Sequence, residues 1–238
     1  LVGAGHHVVV YDERGHGAST TGSALLDVTT LSDDLRAVLD AVDAREAVVA
    51  GHSLGGMAVQ CFADRHKDVL ADRVAAIVLV STASEHVIAG GAYLRLARRV
   101  VGSRLVERAV SNHAVGPFLV RGAFGRRPAM SHLLATAETF TATPAAVRQA
   151  LLGAMAGLDL TAGLPALTVP TVVVSGTRDT LTLPGRSRTI VSLAPAARLE
   201  VVPGGGHQLV FEAPERLAAI LAGLVSGAQH PDRKGDPS

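Results

Sequence analysis

The 238-residue chain has one cysteine, no tryptophan, and only 3% aromatic residues. A single cysteine excludes an intrachain disulfide and suits a reducing compartment, so a cytoplasmic location is the expectation. No apolar run approaches the ~18 residues that a membrane-spanning helix needs. The net charge is +1, which gives no electrostatic case for nucleic acid as a partner. There is no internal repeat and no visible signal peptide. What the chain does have is 48% apolar residues, enough for a sizeable core. Its length suits one domain with room for an inserted subdomain.

Five apolar, β-branched runs read as buried parallel strands: His7–Tyr11, Ala47–Ala50, Ala76–Val80, Thr171–Ser175 and Arg198–Val202. Continuous runs of this kind, separated by helical patterns, indicate an α/β sheet covered on both faces. Leu31–Asp43 has apolar residues at helical spacing. Leu54–Ala63 and Pro214–Leu224 are further helices, with Pro214 suited to a first turn. "LVGAG" at the front reads as a helix end closed by glycine. The polar end, residues 227–238, reads as a disordered tail.

The strand spacing breaks between Val80 and Thr171. Residues 84–160 are mostly helical in pattern, with Leu94, Ala97, Val101 and Leu105 expected on one face. The expectation is a discontinuous core, 1–83 and 161–226, with a helical cap inserted at 84–160. The insertion has nine arginines (95, 98, 99, 104, 108, 121, 126, 127 and 148), no lysine and four acids. That is a net +5, so the rest of the chain carries −4 of the total +1. Solvated helix faces explain it plainly; a basic rim that attracts anionic substrates is the sharper reading.

Chemistry enters at "VVAGHSLGGM", residues 48–57. Gly51-His52-Ser53-Leu54-Gly55 fits G-x-S-x-G. A strand that turns at once into a helix strains the serine backbone, and glycines two before and two after remove the clashes. The turn lifts the Ser53 oxygen above the sheet, at a helix N-terminus that favours developing negative charge. The Leu54 backbone N–H is expected to point at an oxyanion. Gly56 is expected to permit close helix packing.

A serine nucleophile needs a base, and the base needs an orienting acid. "TVVVSGTRDTLTLP" puts Asp179 in the loop after a strand. "LEVVPGGGHQLVFEAPERL" puts His207 in the loop after the last strand. Ser53, Asp179 and His207 thus occur in a known triad order, each beyond the carboxyl end of a different strand. The plainer alternatives are a turn serine, a surface aspartate and a packed loop histidine.

At these motifs the sequence resembles the α/β-hydrolase superfamily, in its capped, cofactor-free branch of bacterial esterases. "YDERGHGAST", "AGHSLGGM", "GTRDTLTLP" and "GGGHQLVFEAPE" carry the resemblance, which spans nearly the whole chain. It implies an α/β-hydrolase fold, a mostly parallel sheet with helices on both faces and an inserted helical cap. It also implies further N-terminal strands and a His-Gly loop whose N–H completes the oxyanion hole. Neither is found ahead of Leu1, so the expectation is an N-terminally truncated chain with a gap between His7–Tyr11 and Ala47–Ala50.

Other candidates are weighed beside these. Glu85 stands where some relatives put the acid and is the rival to Asp179. His52 reads as structural, pointing away from the serine hydroxyl. Asp12, Arg14 and His16 read as a strand-end hydrogen-bond network. His6 and His7, adjacent on a strand, face opposite sides and cannot jointly hold a metal. Cys61 reads as a core residue.

The resemblance implies a serine hydrolase acting on a small or medium ester or related acyl compound, with no metal and no organic cofactor. A carbon–carbon bond hydrolase and a cofactor-free perhydrolase are alternatives. A hydrolase-fold small-ligand binding protein, or an inactive fragment, is the non-enzyme alternative. Oligomeric state is left open.

Overall fold

The computed structural model describes residues 1–85, 87 and 91–228. In chain order, helix α1 (Val28–Ala41) precedes strand β1 (Ala47–His52), and α2 (Leu54–Arg65) and α3 (Lys67–Arg73) lead to β2 (Val74–Val80). Then come α4 (Gly91–Val101), α5 (Arg104–Ser111), α6 (Gly116–Val120), α7 (Met130–Ala142) and α8 (Ala145–Met155) before β3 (Thr171–Gly176). Helix α9 (Pro184–Leu193) joins β3 to β4 (Ala197–Val202), and α10 (Leu209–Glu212) and α11 (Pro214–Ala228) close the described chain.

The strands form one sheet in the order β1-β2-β3-β4, with every pair parallel. Successive side chains alternate between its faces. Ile77, Leu79 and Val173 point to the side covered by α1, α2, α3 and α9, where Leu35, Leu39, Phe62, Leu70 and Ile190 meet them. Val78, Val80, Val172 and Val174 point to the side covered by Leu209 and Leu217 of α10 and α11. Each fully buried aliphatic side chain contributes about 1.5–3 kcal/mol. This two-faced burial is why β2 and β3 read as unbroken apolar runs.

The strand expected at His7–Tyr11 does not form. Val10 is 87% exposed, and Val8, Val9 and Tyr11 are exposed as well. A valine run has strand propensity, but a strand needs a ladder partner and one buried face. Among the described residues, β1 has a ladder only to β2, so it forms an edge of the sheet. The argument that His6 and His7 alternate across a strand therefore fails too.

Smaller departures have local causes. Helix α1 begins at Val28, before the expected Leu31, because the Asp27 carboxylate caps it by accepting the Thr30 N–H at 2.8 Å. It ends at Ala41, and Asp43 turns into the left-handed region. Leu94, Ala97 and Val101 are half-buried in α4 as expected, but Leu105 is 78% exposed. Ser103 caps a new helix there, accepting the Leu105 N–H at 3.3 Å, so the helical phase restarts. Helix α11 runs to Ala228, past the expected core end at 226; the rest of the expected tail, 229–238, lies outside the described residues.

Candidate active site

The site lies at the carboxyl edge of the sheet, where β1, β3 and β4 each end in a loop. The turn after β1 is tight. Ser53 has φ 53° and ψ −115°, and its N–H donates to the Val80 carbonyl at 2.9 Å. That left-handed backbone is rare for a residue with a side chain, and surrounding packing must hold it. Gly51 is needed because a Cβ there would lie 2.5 Å from the Gly55 carbonyl oxygen. A Cβ on Gly56 would lie 2.7 Å from the Thr82 side chain, the close packing expected of it. Thr82 in turn donates its hydroxyl to the Ser53 carbonyl at 2.7 Å. Leu54 is the first residue of α2, so its N–H has no intrahelical acceptor.

The loops after β3 and β4 are laced together. Arg178 N–H donates to the Gly205 carbonyl at 2.8 Å, and Gly204 N–H donates to Thr177 Oγ1 at 2.8 Å. Asp179 is 2% exposed and His207 5% exposed. His207 Nδ1 lies 3.1 Å from Asp179 Oδ2 and 3.2 Å from Oδ1. His207 Nε2 lies 3.0 Å from Ser53 Oγ. A carboxylate only accepts, so Nδ1 carries the proton and the bare Nε2 accepts the Ser53 hydroxyl. The three residues singled out in the sequence meet in one hydrogen-bonded line.

Asp179 has further support that the sequence analysis missed. Oδ1 accepts the Leu181 N–H at 2.9 Å and the Thr182 N–H at 2.8 Å, and Oδ2 accepts the Thr182 hydroxyl at 2.7 Å. Burial on its own would raise this carboxyl. The hydrogen bond and charge of His207, with the Thr182 bonds, outweigh it and hold Asp179 below the usual range. The signal was present: an aspartate followed by small polar residues commonly closes a turn on its own side chain. Glu85, the rival acid, instead accepts from Arg186 at 3.3 Å.

His52 has a specific partner in the loop after β4. Its Nε2–H donates to the His207 carbonyl at 2.8 Å. Burial, then the neighbouring His207 ring, lowers its pKa to about 4. The helical insertion reaches the same loop, because the Ala123 carbonyl accepts the His207 N–H at 2.9 Å. Glu212 accepts the Gly125 N–H at 2.8 Å and the Gly206 N–H at 3.1 Å.

Asp12, Arg14 and His16 make local bonds, not the expected strand-end network, because no strand forms at residues 7–11. Asp12 accepts the Ala18 N–H at 2.9 Å, Arg14 Nε donates to Asp34 at 2.8 Å, and His16 Nδ1 lies 3.2 Å from the Arg14 carbonyl. Cys61 is buried beside Val28 and Met57. Among the described residues, no three His, Cys, Asp or Glu side chains could together hold a metal ion. No described helix is long and apolar enough to cross a membrane.

A parallel sheet with a serine elbow after one strand and an Asp-His pair beyond two others defines an α/β hydrolase. Residues 1–214 match the family model for serine aminopeptidase, S33, and the chain belongs to that family. It is 28% identical over 244 residues to a non-heme haloperoxidase of Rhodococcus erythropolis, across 94% of this chain and 84% of that one. An esterase from Exiguobacterium antarcticum superposes with a TM-score of 0.76 at 18% identity, over 90% of this chain and 80% of that one. The enol-lactonase from Burkholderia xenovorans LB400 gives 0.73 at 23% identity, over 91% and 79%. These two structural likenesses show the fold. Family and fold together make the chain an enzyme of the α/β-hydrolase type.

Proposed function

We propose that this enzyme is a serine hydrolase that cleaves a small or medium ester, or a related acyl compound, through an acyl-enzyme. The carrying observation is the line Asp179–His207–Ser53, with Nε2 at 3.0 Å from Oγ. Ser53 Oγ attacks the substrate carbonyl carbon while His207 Nε2 takes its proton. The Leu54 N–H stabilises the resulting oxyanion; one such donor is worth about 10²–10³ in kcat. Collapse expels the alkoxide, which takes the proton back from His207. Water then attacks the acyl carbon, giving its proton to His207. The acid departs and Ser53 regains its hydrogen. Asp179 holds the imidazole in the needed tautomer and stabilises its charged form.

Residues 84–160 act in this reading as a cap over the site. Support comes from the bond between Ala123 and His207, which ties the insertion to the base. A second reading is favoured by the Rhodococcus relative's name: hydrogen peroxide replaces water at the acyl-enzyme and a peracid leaves.

A fluorophosphonate probe and a panel of p-nitrophenyl esters of rising chain length test both. Rapid labelling at Ser53 with ester turnover is expected. Absence of labelling would mark a ligand-binding protein instead. Peracid release that outpaces hydrolysis at equal acyl-enzyme would favour the second reading.

A further inference from the structure

We infer that His52 is a positioning residue for the base: its Nε2–H fixes the His207 carbonyl and thereby aims the His207 ring at Ser53. This inference rests on the reading of Ser53 and His207 given above. The bond is 2.8 Å long and joins residues 155 apart in sequence. The two rings also pack, with centroids 4.9 Å apart and planes tilted by 51°.

His207 has one backbone donor and one backbone acceptor, and both are engaged. Its N–H goes to Ala123 of the insertion, and its carbonyl goes to His52 at the end of β1. Its side chain goes to Asp179. With all three fixed, neither the peptide planes nor the ring can turn freely. The tether on the carbonyl side is the important one. His52 is the last residue of β1 and is followed directly by Ser53. The strand that carries the nucleophile therefore also holds the backbone of the base. Any shift of β1 moves both partners together, which preserves the 3.0 Å separation between Oγ and Nε2.

Chemistry limits what can stand at this position. A carbonyl accepts only, so residue 52 must donate. The neutral imidazole does so without adding a second positive charge beside His207 when that ring becomes protonated during turnover. The low pKa of His52, about 4, keeps it neutral at ordinary pH. Glutamine can extend an amide N–H to the same depth. Asparagine is shorter, and leucine fills the volume but donates nothing. A residue that merely filled space would be served by leucine.

The test compares His52→Gln, His52→Asn and His52→Leu in the full chain, with Ser53→Ala alongside. Readouts are kcat, KM, the fluorophosphonate labelling rate and the melting temperature. His52→Leu and His52→Asn are expected to lose about 10²-fold in kcat and in labelling rate, the usual effect of a displaced catalytic group. Their KM is expected to stay within about twofold, because the binding surface is untouched. His52→Gln is expected to recover most of the loss. Wild-type kcat in His52→Leu, or a folded Gln variant no better than Asn, overturns the inference. If the Leu variant does not fold, the comparison of Gln with Asn decides alone. Ester turnover in Ser53→Ala would instead overturn the serine reading and this inference with it.

Discussion

Thr182 holds Asp179 at two points: its hydroxyl donates to Oδ2 at 2.7 Å and its N–H donates to Oδ1 at 2.8 Å. The hydroxyl also lies 3.3 Å from His207 Nδ1, so it borders the bond between Asp179 and His207. Thr182→Val keeps the shape and removes one donor to a buried charge. A hydrogen bond to a charged group is worth about 1.5–3 kcal/mol. A drop in kcat of roughly tenfold or more is expected, with Thr182→Ser near wild type. Equal rates for the Val and Ser variants would show that the hydroxyl does not matter.

Ser53→Ala and His207→Ala are each expected to lower kcat by at least about 10⁴-fold with little loss of fold. The double variant is expected to be scarcely worse, because the residues act as a unit. Asp179→Asn is expected to cost about 10⁴-fold by imposing the wrong tautomer. Glu85 accepts from Arg186, so Glu85→Gln is expected to be far milder. A crippling Glu85→Gln beside a mild Asp179→Asn would reverse the assignment of the acid.

The legible parts of this molecule were those where backbone geometry restricts residue choice. The elbow shows in Gly51 and Gly55 because a side chain at Gly51 would strike the backbone of the next turn. β2 and β3 show as apolar runs because helices cover both of their faces. Residues 7–11 have the same composition and form no strand, because a ladder depends on a partner that local sequence does not encode. The partner of His52 lies 155 residues away, so local sequence does not reveal it. Arg148 is the clearest miss. It is one of the nine insertion arginines that read as solvated helix faces or a basic rim, and only its contacts reveal that it is buried.

Stability is expected to fall in two acid steps. His52 is ordinarily near 6.5 and is lowered in the fold to about 4, chiefly by burial. The unfolded chain therefore binds a proton at this site more readily. The stability tied to neutral His52 is complete above pH 6.5 and is lost as pH falls towards 4. Its size is at most about 3 kcal/mol. Asp179 is held below the usual carboxyl range, so its share is lost only at lower pH. Glu13 opposes both trends, since burial raises its carboxyl and its ionisation disfavours the fold. The difference between wild-type and His52→Gln urea melts, taken from pH 7 to 4, isolates His52. Parallel curves would remove it as the cause of the first step.

Three glycine substitutions separate crowded from open positions. Gly51→Ala would set a methyl 2.5 Å from a backbone oxygen that cannot move without opening the elbow. Gly56→Ala would push on Thr82, whose hydroxyl holds the Ser53 carbonyl. Overpacking of this kind costs about 1–3 kcal/mol, and both variants are expected to lose activity as well. Gly223 lies inside α11 with open space where a Cβ would go. Gly223→Ala is expected to stabilise by up to about 1 kcal/mol, through helix propensity alone. Thermal melts of the three variants check the ranking; a destabilised Gly223→Ala would contradict it.

Arg148 organises the helical insertion from inside. Its guanidinium donates to the carbonyls of Val101 at 3.0 Å, Phe140 at 2.7 Å and Thr143, and to Glu107 Oε2 at 2.7 Å. It also lies over the Phe140 ring, 4.5 Å from its centroid. One side chain thus ties the C-terminal end of α4 and a side chain of α5 to the end of α7 and the start of α8. Arg148→Met keeps much of the volume but strips the donors from several acceptors and leaves Glu107 without this partner. Glu107 is 42% exposed and stays solvated, so the cost is that of carbonyl acceptors left unpaired, about 1–3 kcal/mol. Arg148→Lys is not expected to rescue, because one ammonium cannot span a planar fork of acceptors. The damage is expected to be local. Amide exchange should accelerate across residues 91–155, while β2 and β3 remain protected. Activity is expected to fall too, since Ala123 in the same insertion accepts the His207 N–H. Unchanged exchange in the insertion of Arg148→Met would show that these helices are held together by their apolar contacts alone.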